Sequence, residues 1–148
     1  MTTNEELITQ VLQGLPVQIK RPGRVFVTIP REDLIKTMNI LSSELNVRHL
    51  STITARDTNK DFELLYHFFL NGVVITIRTI CPKNDPTIES IVPIFPSANL
   101  YEREIHDILG IVPQGHPDLR RLVLPDDWVG GYPLRKDWKQ PTEKEAEE

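Results

Sequence analysis

Two imidazoles and three carboxylates crowd into fifteen positions near the middle of the C-terminal half: Glu104, His106, Asp107, His116 and Asp118. Imidazole and carboxylate are the usual ligands of zinc and the usual general acids and bases, so a metal site or a hydrolytic site can be drawn from this set. The spacing argues against both. Neither H-x-x-x-H nor H-x-H occurs, and Gly110, a helix stop, falls between the two histidines. H-P-D at 116–118 also has a structural use, with the histidine ordering a loop, the proline fixing φ and the aspartate accepting backbone amides. A small free-standing enzyme using His106, Asp107 and His116 therefore stands beside a purely structural reading.

Other chemistry is thinner. A nucleophilic Cys81 needs a base and an electropositive setting; placed at a strand end before Pro82, it reads as a packed side chain. His67, in mid-strand, reads as a satisfied or exposed sheet residue. Gly130-Gly131 lacks the flanking pattern and following helix of a phosphate loop. Arg120, Arg121, Arg135 and Lys136 suit an anionic ligand. They suit equally the ion pairs and carbonyl contacts of a subunit interface.

Composition narrows the classes. The 148 residues are 39% hydrophobic and 26% charged, ordinary for one globular domain plus a tail. A formal net charge of −4 argues against nucleic acid as partner. The polar, acidic start M-T-T-N-E-E-L is unlike a signal peptide. The most apolar window, Phe62 to Ile80, is broken by Glu63, His67, Asn71-Gly72 and Arg78, so direct membrane insertion is not expected. A single cysteine rules out an internal disulfide and a standard four-cysteine cluster, and suits a cytoplasmic setting.

The elements that position these groups follow from periodicity. Glu5 to Leu12 reads as an amphipathic helix ended by Gly14 and Pro16. Val17 to Lys20 and Arg24 to Ile29 form a hairpin around Pro22-Gly23. Pro30 starts a second helix with Leu34, Ile35, Met38, Leu41 and Leu45 as its buried stripe. Val47 to Arg56 is a weakly alternating strand. Asn71-Gly72 is the favoured type I′ turn, which sets Leu70 opposite Val73, Phe68 opposite Ile75 and Tyr66 opposite Ile77 on the face toward the helices.

Nine of the 12 prolines lie between Pro82 and Pro141. Pro82 to Pro96 is a connector, with a helical turn or short strand at Ile88 to Ile94. A third helix follows, with Asn99 as cap, Glu102 completing a capping box and Gly110 at C′. Leu100, Ile105, Ile108 and Leu109 share one side of it, and Arg103 can pair with Asp107 at i,i+4 on another. After Gly110 regular structure is expected to stop. Residues 111–138 form a proline-punctuated segment rich in Trp, Tyr and Arg, the make-up of an interface hot spot ordered chiefly by a partner.

This stretch resembles one family. Y-E-R-E at 101–104, D-I-L-G-I at 107–111, G-H-P-D-L-R-R-L at 115–122 and P-L-R-K-D at 133–137 look like the signature of the thirty-kilodalton subunit of respiratory complex I. The equivalent subunit of membrane-bound, energy-converting NiFe hydrogenases shares it. I-H-D, L-P-D-D-W and the short length look more like the hydrogenase and related branch, with the thirty-kilodalton subunit of NADH-quinone oxidoreductase proper as the alternative. A soluble adaptor outside any redox complex is a third reading.

The expected fold is α+β: two helices on a mostly antiparallel sheet at 1–96, a helix and long extended interface arm at 97–138, and a flexible charged tail at 139–148. The resemblance implies a non-catalytic subunit on the cytoplasmic side of the membrane, touching the membrane arm only indirectly. Its implied partners are a hydrogenase-like large subunit and an iron–sulfur small subunit. Those partners would hold the iron–sulfur clusters and any NiFe centre, with no cofactor on this chain. The expected partner residues are Tyr101, Glu102, Arg103 and Glu104 on the helix, then His116, Asp118, Arg120 and Arg121. Trp128, Tyr132, Arg135, Lys136, Asp137 and Trp138 complete them.

Overall fold

A computed structural model describes residues 1–142, so the final residues of the charged tail, 143–148, lie outside the described residues. The centre of the fold is the hairpin of β4 (Asp61–Leu70) and β5 (Val73–Pro82). Asn71 and Gly72 both take positive φ, as a type I′ turn requires. The register is the one the turn dictates: Leu70 faces Val73, Phe68 faces Ile75 and Tyr66 faces Ile77. Strand period 2 then buries Phe62, Leu64, Tyr66, Phe68, Ile75 and Ile77 on one face, while Phe69 on the other is 54% exposed.

Around this hairpin the five-stranded sheet runs β1-β2-β5-β4-β3. The hairpin of β1 (Val17–Arg21) and β2 (Arg24–Thr28) docks on β5 in parallel, and β3 (Leu50–Asp57) lies antiparallel to β4. Three helices are described. α1 (Asn4–Val11) opens with a reciprocal capping box between Thr3 and Glu6. α2 (Leu34–Ser43) is entered through one 3-10 turn, Arg31–Asp33, after Pro30, and buries Leu34, Met38 and Leu41. α3 (Ala98–Leu109) packs across β3. Their apolar side chains and the inner sheet face form one core from Ile8 to Ile111, continuous across the division placed at 96/97.

Two local expectations are corrected. Asn99 is not a cap: the helix begins at Ala98, and the preceding Ser97 is itself helical and makes no side-chain cap bond. The first amides are satisfied by backbone instead, Ala98 N–H on the Phe95 carbonyl and Asn99 N–H on that of Pro96. Regular structure also continues past Gly110. β7 (Val112–Gln114) pairs in parallel with β6 (Thr87–Glu89), inside the connector. The ladder uses the Val112 amide, on Pro86 O, and the Gln114 carbonyl, which accepts from Ser90 N. Pro113 falls between them, where its missing donor costs nothing. From 115 to 142 the described chain has turns and bends without helix or strand.

The register assigns neighbouring phenylalanines opposite fates. Phe68→Ala should destabilise the free chain by about 3–5 kcal/mol, and Phe69→Ala by no more than about 0.5–1 kcal/mol, in urea unfolding. The reverse ranking would exchange the two faces.

Candidate partner interface

A stretch with no ladder must still satisfy its backbone N–H and C=O groups. Here α3 supplies the partners. Arg103 and Asp107, one turn apart on the same face, do not pair with each other as expected. Arg103 donates to the carbonyls of Arg120 and Arg121 at 2.8 and 2.9 Å. Asp107 Oδ2 accepts the amides of Leu122 and Val123 at 2.8 Å each and of Leu124 at 3.3 Å. Burial pushes the Asp107 carboxyl up, but the three amides and nearby His106 outweigh it and hold the pKa below the usual range. Three charge-assisted bonds to a nearly buried carboxylate outcompete one surface ion pair.

The C-terminus of α3 is closed by the P-L-R-K-D block. Leu134 N–H bonds Ile108 O at 3.1 Å, and Arg135 Nε bonds Leu109 O at 2.7 Å. Both meet carbonyls left open at a helix end, where a cation is also favoured by the dipole. The Arg135 guanidinium lies over the rings of Tyr132 and Phe62, 4.5 and 5.2 Å from their centroids. Gly110 takes φ +74° beneath them, and a Cβ there would come within 2.6 Å of the Tyr132 ring. A third anchor is Asp57, at the end of β3. Its Oδ2 accepts Lys83 Nζ at 2.7 Å and the Lys136 amide at 3.0 Å, while Oδ1 accepts the Asn59 amide. Burial opposes its ionisation, yet these donors together lower the pKa to about 2.

The tryptophans brace each other. Trp128 Nε1 donates to Gly131 O and Trp138 Nε1 to Gly130 O, with the rings stacked at 6.5 Å. Gly130 lies under the Trp128 indole, where a Cβ would come 2.7 Å from the ring; the glycine pair admits an aromatic. The sequence predicts a segment held chiefly by a partner; the chain itself also supplies these anchors. Arg121 belongs to them, donating to the carbonyls of Pro125 and Trp128.

The remaining expected residues divide. Glu102 is 1% exposed, accepting from Ser90 Oγ at 2.7 Å and the Ile91 amide at 2.8 Å. Burial raises its pKa despite these bonds. His116 Nδ1 accepts the Asp118 amide, which leaves the proton on Nε2 to donate to Asn99 O. Asp118 pairs with Arg120, and Tyr101 Oη donates to Ser51 O. His106 Nδ1 donates to Ile111 O. His106, Asp107 and His116 thus bond to separate backbone groups instead of converging on one point. Among the described residues no group of three or more His, Cys, Asp or Glu side chains is placed to hold a metal ion. Cys81 is buried, its thiol pushed up by desolvation and 3.3 Å from Thr87 O.

The anchors leave several apolar side chains outside among charged ones. Leu122, Val123, Val129, Tyr132 and Leu134 are exposed, with Glu104, Lys136 and Asp137 also at the surface. Beside Val129 and Tyr132 a cleft of about 410 Å³ is lined by His106, Asp107, Leu119, Arg121, Leu124, Trp128 and Gly131. Sequence reasoning missed Asp57; the D-T-N-K-D turn, with Asn59 at φ 73°, is its one local signal.

Asp107→Ala should cost about 1–3 kcal/mol by orphaning the amides of 122–124. Asp57 titrates lower folded than unfolded, so its contribution is present above about pH 4 and lost as pH falls toward 2. Asp57→Asn should therefore be less stable by up to about 2 kcal/mol at pH 7, the gap closing over that window in urea unfolding. A gap independent of pH would show that the charge is not what holds Lys83 and Lys136.

Known proteins resemble this chain in sequence and in fold. Residues 27–144 match the family model for the 30-kDa subunit of the respiratory-chain NADH dehydrogenase. One subunit of the F(420)H(2) dehydrogenase of Methanosarcina mazei is 34% identical over 125 residues, 82% of this chain and 79% of that protein. One subunit of the NADH-quinone oxidoreductase of Geobacter metallireducens is 35% identical, over 78% of this chain and 75% of its own. Among solved structures, a chain of the membrane-bound sulfane sulfur reductase, an archaeal respiratory membrane complex, superposes with a TM-score of 0.80. It is 27% identical, with 91% of this chain and 85% of that one covered. A trypsin-resistant fragment of Nqo5 gives a TM-score of 0.64 at 28% identity, over 78% of this chain and 98% of the fragment. With β3, β4, β5, α3 and its clamped segment inside the matched region, the chain belongs to the 30-kDa subunit family of the respiratory-chain NADH dehydrogenase.

Proposed function

We propose that this chain is a non-catalytic peripheral subunit of a complex-I-like membrane-bound oxidoreductase, docking its 115–138 segment against a hydrogenase-like large subunit beside an iron–sulfur small subunit. The observation that carries this reading is the exposed apolar strip of Leu122, Val123, Val129, Tyr132 and Leu134 on a segment already fixed from within. A preordered surface loses little conformational entropy on binding, and a Trp–Tyr–Arg cluster is the usual make-up of a hot spot. In this reading the iron–sulfur clusters, and any NiFe centre, reside on the partners. The chain sits on the cytoplasmic side and meets the membrane arm only through them. No helix among the described residues is long and apolar enough to cross a membrane.

The large-subunit partner decides the branch. The relatives include an F(420)H(2) dehydrogenase, a sulfane sulfur reductase and NADH-quinone oxidoreductases; our reading favours an energy-converting complex of the hydrogenase-related kind, with NADH-quinone oxidoreductase as the alternative. Affinity purification of the native assembly, with its subunits identified by mass spectrometry, tests this. Two C-x-x-C pairs on the large partner would mark a NiFe hydrogenase; their absence would mark a dehydrogenase or reductase. Recovery of the chain alone, or with unrelated proteins, would remove the reading.

Because the segment is braced internally, exposed positions are the informative ones. Val129→Asp and Leu134→Asp should leave the melting temperature of the free chain unchanged and weaken assembly at least about tenfold, or ~1.4 kcal/mol. Full assembly of both variants would move the docking surface elsewhere.

A further inference from the structure

The side of the sheet facing away from the helices carries a second surface. Strand register places Phe26, Leu65, Phe69, Val74 and Ile80 on it, with Phe69 and Ile80 54% and 40% exposed. The 115–138 segment anchors on the opposite side, through Phe62 and Asp57. Charge is segregated here as well. The chain has a net charge of −4, yet this face sets Lys20, which lies over the Phe26 ring, with Arg21, Arg24, Arg56 and Arg78 against Asp61 and Glu63.

Its chemistry is specific in one corner. Glu63 is only 5% exposed, although it lies on an otherwise open face, because Arg56 and Arg78 close over it from either side. Each arginine gives Glu63 its Nε–H, and no terminal N–H of either meets a protein acceptor among the described residues. The triad has a net positive charge, and its two arginine side chains keep part of their surface in solvent, 67% for Arg56 and 25% for Arg78. Beside it His67 bonds Thr76 Oγ1 at 3.0 Å. Its own desolvation, and then Arg24, lower its pKa, so His67 adds no charge to the face at neutral pH.

We infer that this outer sheet face is a second docking surface, for an acidic protein segment that lays a carboxylate on the free Arg56–Arg78 donors and apolar side chains on Phe69 and Ile80. Guanidinium forks match carboxylate geometry, and the neighbouring apolar area supplies the desolvated surround in which such a pair gains strength. A nucleic acid or an anionic membrane offers the same local attraction. Either would also bring many phosphates against a chain of net negative charge, whereas a single protein carboxylate acts within the Debye length of about 8 Å. The inference depends on the preceding reading only for the existence of an assembly. It makes the chain a bridge, with one partner on each side of its sheet.

The test replaces Phe69 with the photo-crosslinker p-benzoylphenylalanine, and in a separate protein Val129, in the purified native assembly. Crosslinks from position 69 should reach a protein peptide containing Asp or Glu, different from the peptide reached from 129. Arg24→Glu, at an exposed position, should lower the yield from 69 about tenfold and leave that from 129 unchanged. Absence of a crosslink from 69, a crosslink to lipid or nucleic acid, or a yield indifferent to Arg24→Glu overturns the second surface. A crosslink from 69 without one from 129 would leave it standing and overturn the docking of the 115–138 segment.

Discussion

Backbone polar groups without a ladder are the constraint on which this structure turns. Twenty or so residues cross the surface between prolines, and each amide and carbonyl among them needs a partner or water. The answer is one helix with charges of both signs on a single face. Arg103 serves the carbonyls of 120 and 121, and Asp107 serves the amides of 122–124. The segment then returns the service, since Leu134 and Arg135 complete the carbonyls at the end of that helix. Helix and irregular chain each satisfy what the other leaves open.

The buried acids take different positions in this arrangement. Asp57 and Asp107 lie where several donors converge and ionise more readily than in water, although each is almost out of solvent. Glu102 has two neutral donors and ionises less readily. Burial opposes ionisation in all three, and it prevails at Glu102, which is the most deeply buried and has the fewest donors. Asp57 and Asp107 thus fasten the irregular segment most firmly when charged, whereas Glu102 ties the connector at 90–91 to α3.

What can be read from the sequence is local or periodic. Asn71-Gly72 and the alternation beside it specify a register without reference to any distant residue, and the hairpin has that register. The buried stripe of α2 is likewise self-contained. The start of α3 misleads because its amides are satisfied by the turn at Phe95 and Pro96, which leaves Asn99 and Glu102 free for other uses. β7 escapes notice because Pro113 signals a break, and only the identity of the bonding residues on either side shows that it does not make one. Asp57 bonds a residue far along the chain, a contact with no periodicity to betray it. The Trp- and Arg-rich make-up of residues 111–138 is visible in composition; their internal bracing is not.

The parallel pairing of β2 with β5 has a consequence for how the chain comes together in time. Arg24 lies opposite Val74, so some fifty residues must be made before the first hairpin has its neighbour. Loop closure over that distance is slow beside the local zipping of β4 with β5. During synthesis, the apolar sides of Val25 and Val27 wait without their sheet partner until β5 emerges. The order is built into the topology: the central hairpin is the template, and the amino-terminal hairpin, although synthesised first, is completed late.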